Sequence, residues 1–452
     1  MIHPMEYRYR TPEMASLFTE EAKLENWLRV EAALALTHAS LGTIPVDAAE
    51  EIAAKANLDH VKLERVKQIE AEIHHDLMAM VRALTEACEG NAGKYVHLGA
   101  TSYDVEDCAT ALQLGSALDV LRKSLLRLLE ALVEQAKDKR GLVCVGRTHG
   151  QHALPTTYGM RFAVWAAEVG RHLERLEQLR PRVAVGKMSG AVGTMASFGT
   201  KGPEVQKGVT RRLGISPVLV ANQVVQRDRH AELTCFLALV AATCDKIARE
   251  IRVLQRNEVG EVFEPFASKQ VGSSTMPHKR NPHKSERICG LARVVKANAI
   301  VALENVTLED ERDLTNSAPE RVIFAESFVL LDFMLHQLTG IVKGLEFSEE
   351  NIRRNLELTR GGILTERVML ELVGKGIGRQ EAHEMLRRAA IKARTTGSHV
   401  REVLLETPEI RSVVTSSELE GWFDPAGYTG EATSQVDRLV AHLTKKYLKE
   451  RT

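Results

Sequence analysis

The chain has 452 residues, a length that excludes a single small binding module and favours two or three domains or one long helical body. Hydrophobic residues make up 44% and charged residues 27%, which excludes a disordered or collagen-like chain. The 60 basic and 60 acidic residues cancel, so no overall charge attracts the chain to nucleic acid or to an anionic membrane.

The cysteines and the N-terminus indicate a protein of the reducing cytoplasm. None of the six cysteines forms a CxxC pair, so neither a zinc site nor a disulfide framework is expected. The first residues, MIHPMEYRYR, lack the apolar stretch of a signal peptide, and the apolar run near LTCFLALVAATC is too short to span a bilayer. We therefore expect a soluble cytoplasmic protein that binds neither membrane nor nucleic acid.

The N-terminal region is predicted to contain short helices. An aromatic content of only 5%, together with abundant Ala, Leu, Glu, Lys and Arg, favours helix over sheet. The helical pattern is interrupted at Pro12, Gly42, Pro45, Gly90 and Gly93. This pattern predicts an N-terminal helical domain over residues 1–106.

Four long helices are predicted where apolar residues recur at alternating steps of three and four. The stripes are Leu114, Leu118, Leu121, Leu125, Leu128, Leu132 and Ala136; Phe162, Trp165, Val169, Leu173, Leu176 and Leu179; Leu233, Leu237, Val240, Cys244, Ile247, Ile251 and Leu254; and Phe324, Phe328, Leu331, Leu335, Leu338, Val342 and Leu345. A fifth, weaker stripe runs from Ile288 to Val306. Because such helices bury their stripes against one another, we expect an all-α protein with a long-helix bundle over 107–347 and a helical C-terminal domain over 348–452.

The segment GSSTMPHKRNP at 272–282 is the least helix-like part of the bundle region. Pro277 and Pro282 interrupt helical hydrogen bonding, so 262–282 is predicted to be a long loop that ends at a helix N-terminus. Loops of this length are either functional or mobile surface connections, and composition favours neither.

Another segment, GRTHGQHALPTTYGM at 146–160, carries His149 before a helix expected to begin near Pro155. Thr148 and nearby backbone amides are expected to fix the tautomer of this histidine. A single histidine is more often a packed or surface residue than a catalyst.

Three further segments combine an ordinary structural explanation with a chemical one. In HLGATSYDVED at 97–107, Thr101 or Ser102 is expected to cap a helix, with Asp104 or Asp107 as the reciprocal acceptor in its first turn. Such a helix N-terminus also binds anions. In the 74–76 cluster, a carboxylate follows two histidines that point different ways and so make poor joint metal ligands. The run DERDLTNSAPER at 310–321 offers two arginines and a serine, or merely a solvated loop.

Together these segments resemble the fumarase/aspartase superfamily, whose shared GSSxMPxKxNP loop is matched here at every position. Within it, RYRTPEM, TSYD, RTHG, QRDRHAE and the HD pair at 75–76 resemble the adenylosuccinate lyase family over nearly the whole chain. The resemblance implies an all-helical, three-domain subunit in a homotetramer whose active sites are shared between subunits. It also implies β-elimination of fumarate from two succinyl-amino nucleotides of purine synthesis, with no cofactor and no metal.

The resemblance implies a role for each motif residue. Ser273 is the base and His149 the acid, while His75, oriented by Asp76, lies near the leaving purine or a carboxylate. Glu286 is expected to hold His149. The other implied substrate-binding positions are Arg8, Tyr9, His74, His97, Thr101, Ser102, Thr148, Gln223, Ser274, Lys279, Asn281, Arg312, Ser317 and Arg321.

These residue types fit the chemistry. The developing dianion needs donors and cations, and the leaving nitrogen needs an acid. Free serine is too weak a base, so Ser273 requires activation by the amides of the Gly272 loop, by the charge of Lys279 and by the following helix. Guanidinium groups suit a phosphate. One departure is His74, where many family members carry a more basic residue, so its charge depends on pH.

Two other functions remain open at this point. A 3-carboxy-cis,cis-muconate cycloisomerase-like enzyme resembles the same loop, but His149 and the phosphate-directed arginines favour a nucleotide lyase. Argininosuccinate lyase and fumarase differ around 278–280. A catalytically silent helical scaffold predicts loss of Ser273, His149 or Lys279, and all three are present.

Overall fold

The computed structural model describes residues 3–267 and 269–449. Apart from one helix of 21 residues, its N-terminal region consists of short helices, as the proline and glycine interruptions predict. The helices are α1 Pro12–Ser16, the longer α2 Glu20–Ser40, α3 Val46–Lys55, α4 Leu63–Ile73 and α5 Asp76–Ala87.

The central region contains the predicted long helices, separated by short strands. In chain order its elements are α6 Ser102–Asp138, β1 Val143–Thr148, β2 Gln151–Thr157, α7 Tyr158–Val183, β3 Val185–Gly186, α8 Gly202–Leu213, β4 Ser216–Pro217, α9 Asp228–Leu254, β5 Val262–Phe263, α10 His283–Glu304 and α11 Ser317–Lys343. The four predicted stripes are buried along α6, α7, α9 and α11, except that Leu345 lies beyond the end of α11 and is half-buried. The all-α prediction is therefore confirmed.

The C-terminal region is again built from short helices, beginning where the sequence indicates a new segment. Ser348 caps the first of them by accepting the N–H of Asn351 at 3.3 Å. The elements are β6 Glu346–Phe347, α12 Glu349–Glu357, α13 Thr365–Gly374, α14 Arg379–Thr396, α15 Val400–Leu405, α16 Pro408–Arg411, α17 Ser416–Trp422 and α18 Ala432–Leu443.

The expectation of a helix near Pro155 was wrong, because this segment forms an antiparallel hairpin. β1 and β2 pair from Val143 opposite Thr157 to Thr148 opposite Gln151, with a bulge between Val145 and Arg147. The β-branched residues of both segments favour strand, and helix α7 begins only at Tyr158. The hairpin carries His149 at its turn, so this difference affects the candidate site.

The chain divides into two compact units. Unit 1 comprises Met1–Leu125, His172–Cys244 and Gly290–His336, and unit 2 comprises Leu126–Arg171, Asp245–Cys289 and Gln337–Thr452. The core of unit 1 packs α2 to α5 with the start of α6 and with α8, and unit 2 has a separate core formed by the C-terminal helices with Val145. The division into three domains at 106 and 347 stays a prediction.

By length and composition alone, α11 is apolar enough to cross a membrane. However, 61% of its most apolar window is buried inside the structure. This burial is what a core helix of a bundle shows, since its stripe packs against other helices.

Candidate active site

The signature loop lies in unit 2, and its backbone supports Ser273. Ser273 Oγ accepts the N–H groups of Met276 at 3.0 Å and Thr275 at 3.3 Å. Ser274 Oγ lies 3.5 Å from Thr275 Oγ1. Backbone amides stabilise negative charge on an oxygen, so Ser273 is easier to deprotonate in this loop than an ordinary serine.

Close backbone contacts fasten the two ends of this loop to each other. A Cβ at Gly272 would lie 2.0 Å from the carbonyl oxygen of Lys279, so only glycine fits there. Asn281 Nδ2 donates to the Gly272 carbonyl at 2.9 Å, and Gln255 Nε2 donates to the Arg280 carbonyl at 2.9 Å. One hydrogen of the Asn281 amide therefore holds the loop.

The helix after the loop begins at His283, next to the predicted start at Pro282. Buried Glu264 caps it by accepting the N–H groups of Ser285 at 2.6 Å and Lys284 at 3.4 Å. The N–H of Glu264 in turn donates to Gln255 Oε1 at 2.9 Å. These bonds tie Glu264 to the residue that follows α9 and to the first turn of α10.

Lys279, Asn281 and Glu286 line a cavity of about 1050 Å³ in unit 2. Its size is at the upper end of that of small-molecule sites. Basic side chains outnumber acidic ones in its lining, which contains Arg249, Arg252, Arg256, Lys279 and Arg280 against Glu258, Glu286 and Glu346. Such a lining suits an anionic ligand.

His149 occupies the turn between β1 and β2, where its side chain is exposed. The φ angles of His149 and Gly150 are +53° and +74°, the pair of left-handed residues that a tight type I′ hairpin turn requires. The expected partners Thr148 and Glu286 do not hold it: in the part of the chain that the structure describes, no hydrogen bond reaches the His149 ring. The turn therefore fixes the backbone of this histidine, whereas no described residue holds its ring.

A buried carboxylate anchors the hairpin. The Glu261 side chain is 0% exposed, forms an ion pair with Arg147 and accepts hydrogen bonds from Tyr158 Oη and from Asn355 Nδ2, the latter at 2.7 Å. Burial alone would raise the pKa of Glu261, but these donors hold it below its usual value. Arg147 lies two residues before His149, so Glu261 fixes the strand that carries the candidate acid.

We expect Glu261→Ala to destabilise the fold by about 3–5 kcal/mol, because it leaves the Arg147 charge without its buried partner. The free energy of unfolding in urea measures this loss. Glu258→Ala, an exposed carboxylate of the same segment, is the matched control and should change stability by less than about 0.5 kcal/mol. Equal stability of the two variants would contradict the anchoring role.

In unit 1, His75 is held by the backbone and not by Asp76. His75 is the N-cap of α5, and its Nδ1 accepts the N–H of Met78 at 3.4 Å. Its Nε2 lies 3.5 Å from Ser102 Oγ. Asp76 Oδ1 is 3.9 Å from His75 Nδ1, too far for a hydrogen bond, so the expectation that Asp76 orients His75 was wrong. The neighbouring His74 ends α4 with a φ of +57° and is exposed.

Asp76 instead pairs with cations. Its Oδ2 lies 2.7 Å from Arg321 Nη2 and 3.4 Å from Lys23 Nζ. Burial would raise the pKa of Asp76, but these two cations lower it below its usual value. Arg321 is also 3.7 Å from Glu106, a buried carboxyl whose pKa is raised by burial. Two predicted site residues, Asp76 and Arg321, are thus in direct contact.

One half of the predicted cap of the first long helix is observed, namely the carboxylate that answers it. The Thr101 N–H donates to Asp104 Oδ2 at 3.0 Å, and α6 begins at Ser102. Asp104, and not Asp107, takes this role, and it also forms a fully buried ion pair with Lys187. Ser102 and Thr101 are therefore held at a rigid helix N-terminus.

His97 forms a charged pair with a buried carboxylate. Its Nδ1 lies 2.6 Å from Glu31 Oε1 and its backbone N–H donates to Oε2 at 3.0 Å. The side chains of His97 and Glu31 are 11% and 1% exposed. Burial lowers the pKa of His97, but the hydrogen bond and charge of Glu31 outweigh it and raise that pKa above 6.5.

The pair predicts a pH-dependent stability. Because the pKa of His97 is higher in the folded than in the unfolded chain, the contribution of the pair is complete below about pH 6.5 and is lost as the pH rises through the folded pKa. The difference in unfolding free energy between wild type and Glu31→Gln should therefore shrink between about pH 6 and pH 9. A constant difference across that range would mean that Glu31 does not raise the pKa of His97.

The remaining predicted residues of unit 1 form two groups. Arg8 is exposed, with its Cζ 5.7 Å from the Tyr9 ring, and Tyr9 packs against Phe333 with 5.7 Å between ring centroids. Arg312 Nη1 donates to Gln223 Oε1 at 3.2 Å, and Ser317 begins α11.

The two units each hold part of the predicted set of site residues. Unit 2 contains Thr148, His149, Ser273, Ser274, Lys279, Asn281 and Glu286. The others lie in unit 1. Sequence reasoning missed the supporting residues Glu31, Tyr103, Lys187 and Glu261. Only Tyr103 carried a signal, since it lies inside the TSYD motif.

Comparison with known proteins identifies the family of the chain. The family model described as Lyase matches residues 5–296, and the model described as Adenylosuccinate lyase C-terminus matches residues 361–439. The adenylosuccinate lyase of Pyrococcus abyssi is 55% identical over 442 residues, covering 98% of this chain and 98% of that protein. That of Methanocaldococcus jannaschii is 52% identical over 448 residues, covering 99% of this chain and 97% of that protein.

Solved structures share the fold at lower identity. The crystal structure of a fumarate lyase from Mesorhizobium sp. BNC1 has a TM-score of 0.89 and 33% identity, with 96% of this chain and 98% of that chain covered. A 3-carboxy-cis,cis-muconate lactonizing enzyme from Pseudomonas putida also gives 0.89 and 33%, with 98% and 99% covered. The chain matches the adenylosuccinate lyases more closely than the muconate enzyme, and it therefore belongs to the adenylosuccinate lyase family.

Proposed function

We propose that this protein eliminates fumarate from adenylosuccinate, giving AMP, and from the succinyl-aminoimidazole-carboxamide ribotide, giving AICAR, in purine biosynthesis. The observation that carries the proposal is Ser273, whose Oγ receives two backbone amides within a complete GSSTMPHKRNP loop. Membership of the adenylosuccinate lyase family supports the choice of substrates.

The elimination has two proton transfers. Ser273 Oγ removes a proton from the succinyl carbon next to a carboxylate. The electron pair of that C–H bond stays on the substrate, so this carbon and its carboxylate together become a dianion. Lys279 and Asn281 stabilise this charge, with Ser274, Thr101, Ser102 and Thr148 as neutral donors. The pair then forms the C=C bond of fumarate as the C–N bond breaks, and His149 protonates the departing nitrogen.

Other residues hold the remainder of the substrate. Arg8, Tyr9, Arg312, Ser317 and Arg321 bind the nucleotide phosphate, since guanidinium groups donate to phosphate in pairs. His75 lies beside Ser102 and acts near the leaving purine or carboxylate. The pair of Arg321 with Asp76 must then rearrange or share its donors when phosphate binds.

The same proposal includes a cytoplasmic homotetramer with shared active sites. Ile300 and Leu303 on α10 are 64% and 52% exposed in the single chain, as expected for a helix that packs against another subunit. Light scattering of the purified protein should give about 200 kDa, four times the 50.1 kDa chain.

The deciding experiment is fumarate release from adenylosuccinate by purified protein, with the Ser273→Ala protein as the control. Release by wild type alone supports the proposal and its base. A folded wild type that leaves adenylosuccinate intact but turns over 3-carboxy-cis,cis-muconate would move the assignment to that enzyme. A protein inert towards both substrates would favour a silent scaffold.

A further inference from the structure

Tyr103 lies between Ser102 and Asp104 in the first turn of α6. None of the roles assigned above uses it. Its ring is partly buried within unit 1 and contacts two residues assigned to the nucleotide phosphate. Its surroundings therefore show what the third position of the TSYD motif contributes.

The first contact is with Arg312. The Arg312 Cζ lies 3.7 Å from the centroid of the Tyr103 ring, a short distance for a stacked guanidinium. Gln223 holds one end of the same guanidinium through the 3.2 Å bond to Nη1, and Gln223 is itself fixed by donating to the Ala191 carbonyl at 2.9 Å. The ring and Gln223 thus determine the plane of the guanidinium.

The donors that remain on Arg312 point to a ligand. Its Nε and Nη2 are buried and donate to no residue that the structure describes. Buried donors without partners cost free energy, so side chains that keep them usually serve a binding site. Nε and Nη2 form one edge of the guanidinium, the edge that binds an oxyanion with two parallel hydrogen bonds.

The second contact is with Ser317. The Ser317 side chain faces the Tyr103 hydroxyl, and Ser317 is buried at the start of α11. Beneath them, Arg227 lies 5.8 Å from the Tyr103 ring centroid and is fixed by Asp107 at 2.9 Å and Glu320 at 2.8 Å. This buried cluster limits how far the Tyr103 ring can move.

We propose that Tyr103 is a positioning residue for the nucleotide phosphate, holding Arg312 with its ring and Ser317 with its hydroxyl so that both can donate to one oxyanion. This proposal rests on the proposed function, from which the phosphate comes. It assigns Tyr103 to binding and not to the elimination step.

The test measures phosphate binding without turnover. Inorganic phosphate and AMP are titrated calorimetrically into the full-length wild type, Tyr103→Phe and Tyr103→Leu proteins. Phe keeps the ring and loses the hydroxyl that faces Ser317, so the affinity of this variant for phosphate should fall about 2- to 10-fold. Leu also removes the stacked face, which should weaken binding by about a further 2- to 30-fold.

The kinetic result should separate positioning from a structural effect. For adenylosuccinate, we expect KM to rise in the order wild type, Phe, Leu, while kcat changes by less than about threefold. Tyr428→Leu removes a comparable tyrosine, 5.8 Å from Arg367, and should leave both parameters unchanged. Wild-type phosphate affinity in Tyr103→Leu, or a loss of kcat alone, would overturn the proposal.

A second arm covers a Leu variant that does not fold. Arg312→Lys keeps the charge but cannot stack flat or donate from two nitrogens, and it should weaken phosphate binding at least as much as Tyr103→Leu. In an Arg312→Lys background, Tyr103→Phe should cost only the share of its hydroxyl. Wild-type phosphate affinity in Arg312→Lys would overturn the proposal without any need for the Leu variant. Absence of fumarate release would refute the proposed function, whereas the phosphate titrations would still decide the role of Tyr103.

Discussion

The Ser273→Ala protein is expected to release fumarate from adenylosuccinate about 10²- to 10⁴-fold more slowly than wild type, the usual contribution of a positioned base. The reason is local. Thr275 and Met276 direct two N–H groups at Ser273 Oγ, so the substitution removes the one atom that they stabilise and leaves their backbone in position. Steady-state fumarate release under saturating substrate measures the effect.

Ser274→Ala is the matched control for this prediction, because it removes a hydroxyl from the adjacent residue. Ser274 Oγ contacts only Thr275 Oγ1 in the loop, at 3.5 Å, and as a neutral substrate donor it should contribute about tenfold at most. Circular dichroism and the oligomeric mass should be unchanged in both variants. If Ser273→Ala retained near wild-type turnover, the base would have to be another residue.

The helices could be predicted because their signal is periodic. Leu114 to Ala136 repeats the helical spacing through seven apolar positions, and all seven are buried in α6. The β1–β2 hairpin could not be predicted in the same way, since its strands are short and Pro155 resembles a helix start. What determines this segment is pairing between Val143 and Thr157 together with the buried anchor Glu261, and both depend on tertiary packing.

The candidate site shows the same limit. The cap of Thr101 by Asp104 spans three residues and could be predicted from their spacing. The partners that hold the site are distant in sequence: Glu31 and His97 are 66 positions apart, and Arg147 and Glu261 are 114 apart. No spacing rule connects such pairs.

One contact that was predicted from adjacency in the sequence was wrong. Asp76 follows His75 directly, but His75 has the extended backbone of an N-cap and Asp76 the first position of α5, so their side chains point to different partners. Asp76 contacts Arg321, which is 245 positions away. A contact between neighbouring residues at a helix start can therefore be inferred only when the local backbone conformation is known.

His149→Asn should lower turnover by about 10²- to 10⁴-fold without destabilising the protein, because asparagine tolerates the left-handed turn but cannot act as a general acid. The His149 side chain is exposed and no described residue bonds to its ring, so little else is lost. His149→Ala should show the same loss, and added imidazole should restore part of its activity by reaching the exposed turn.

His152→Asn is the control on the same hairpin. His152 lies in β2, its pKa is lowered by burial and by Arg147, and no motif assigns it to the site. The His152→Asn protein should keep a turnover within about threefold of wild type, since only contacts remote from the reacting bond change. If His149→Asn were as active as His152→Asn, the acid would have to come from another group, and His75, whose Nε2 faces Ser102, would be the next residue to replace.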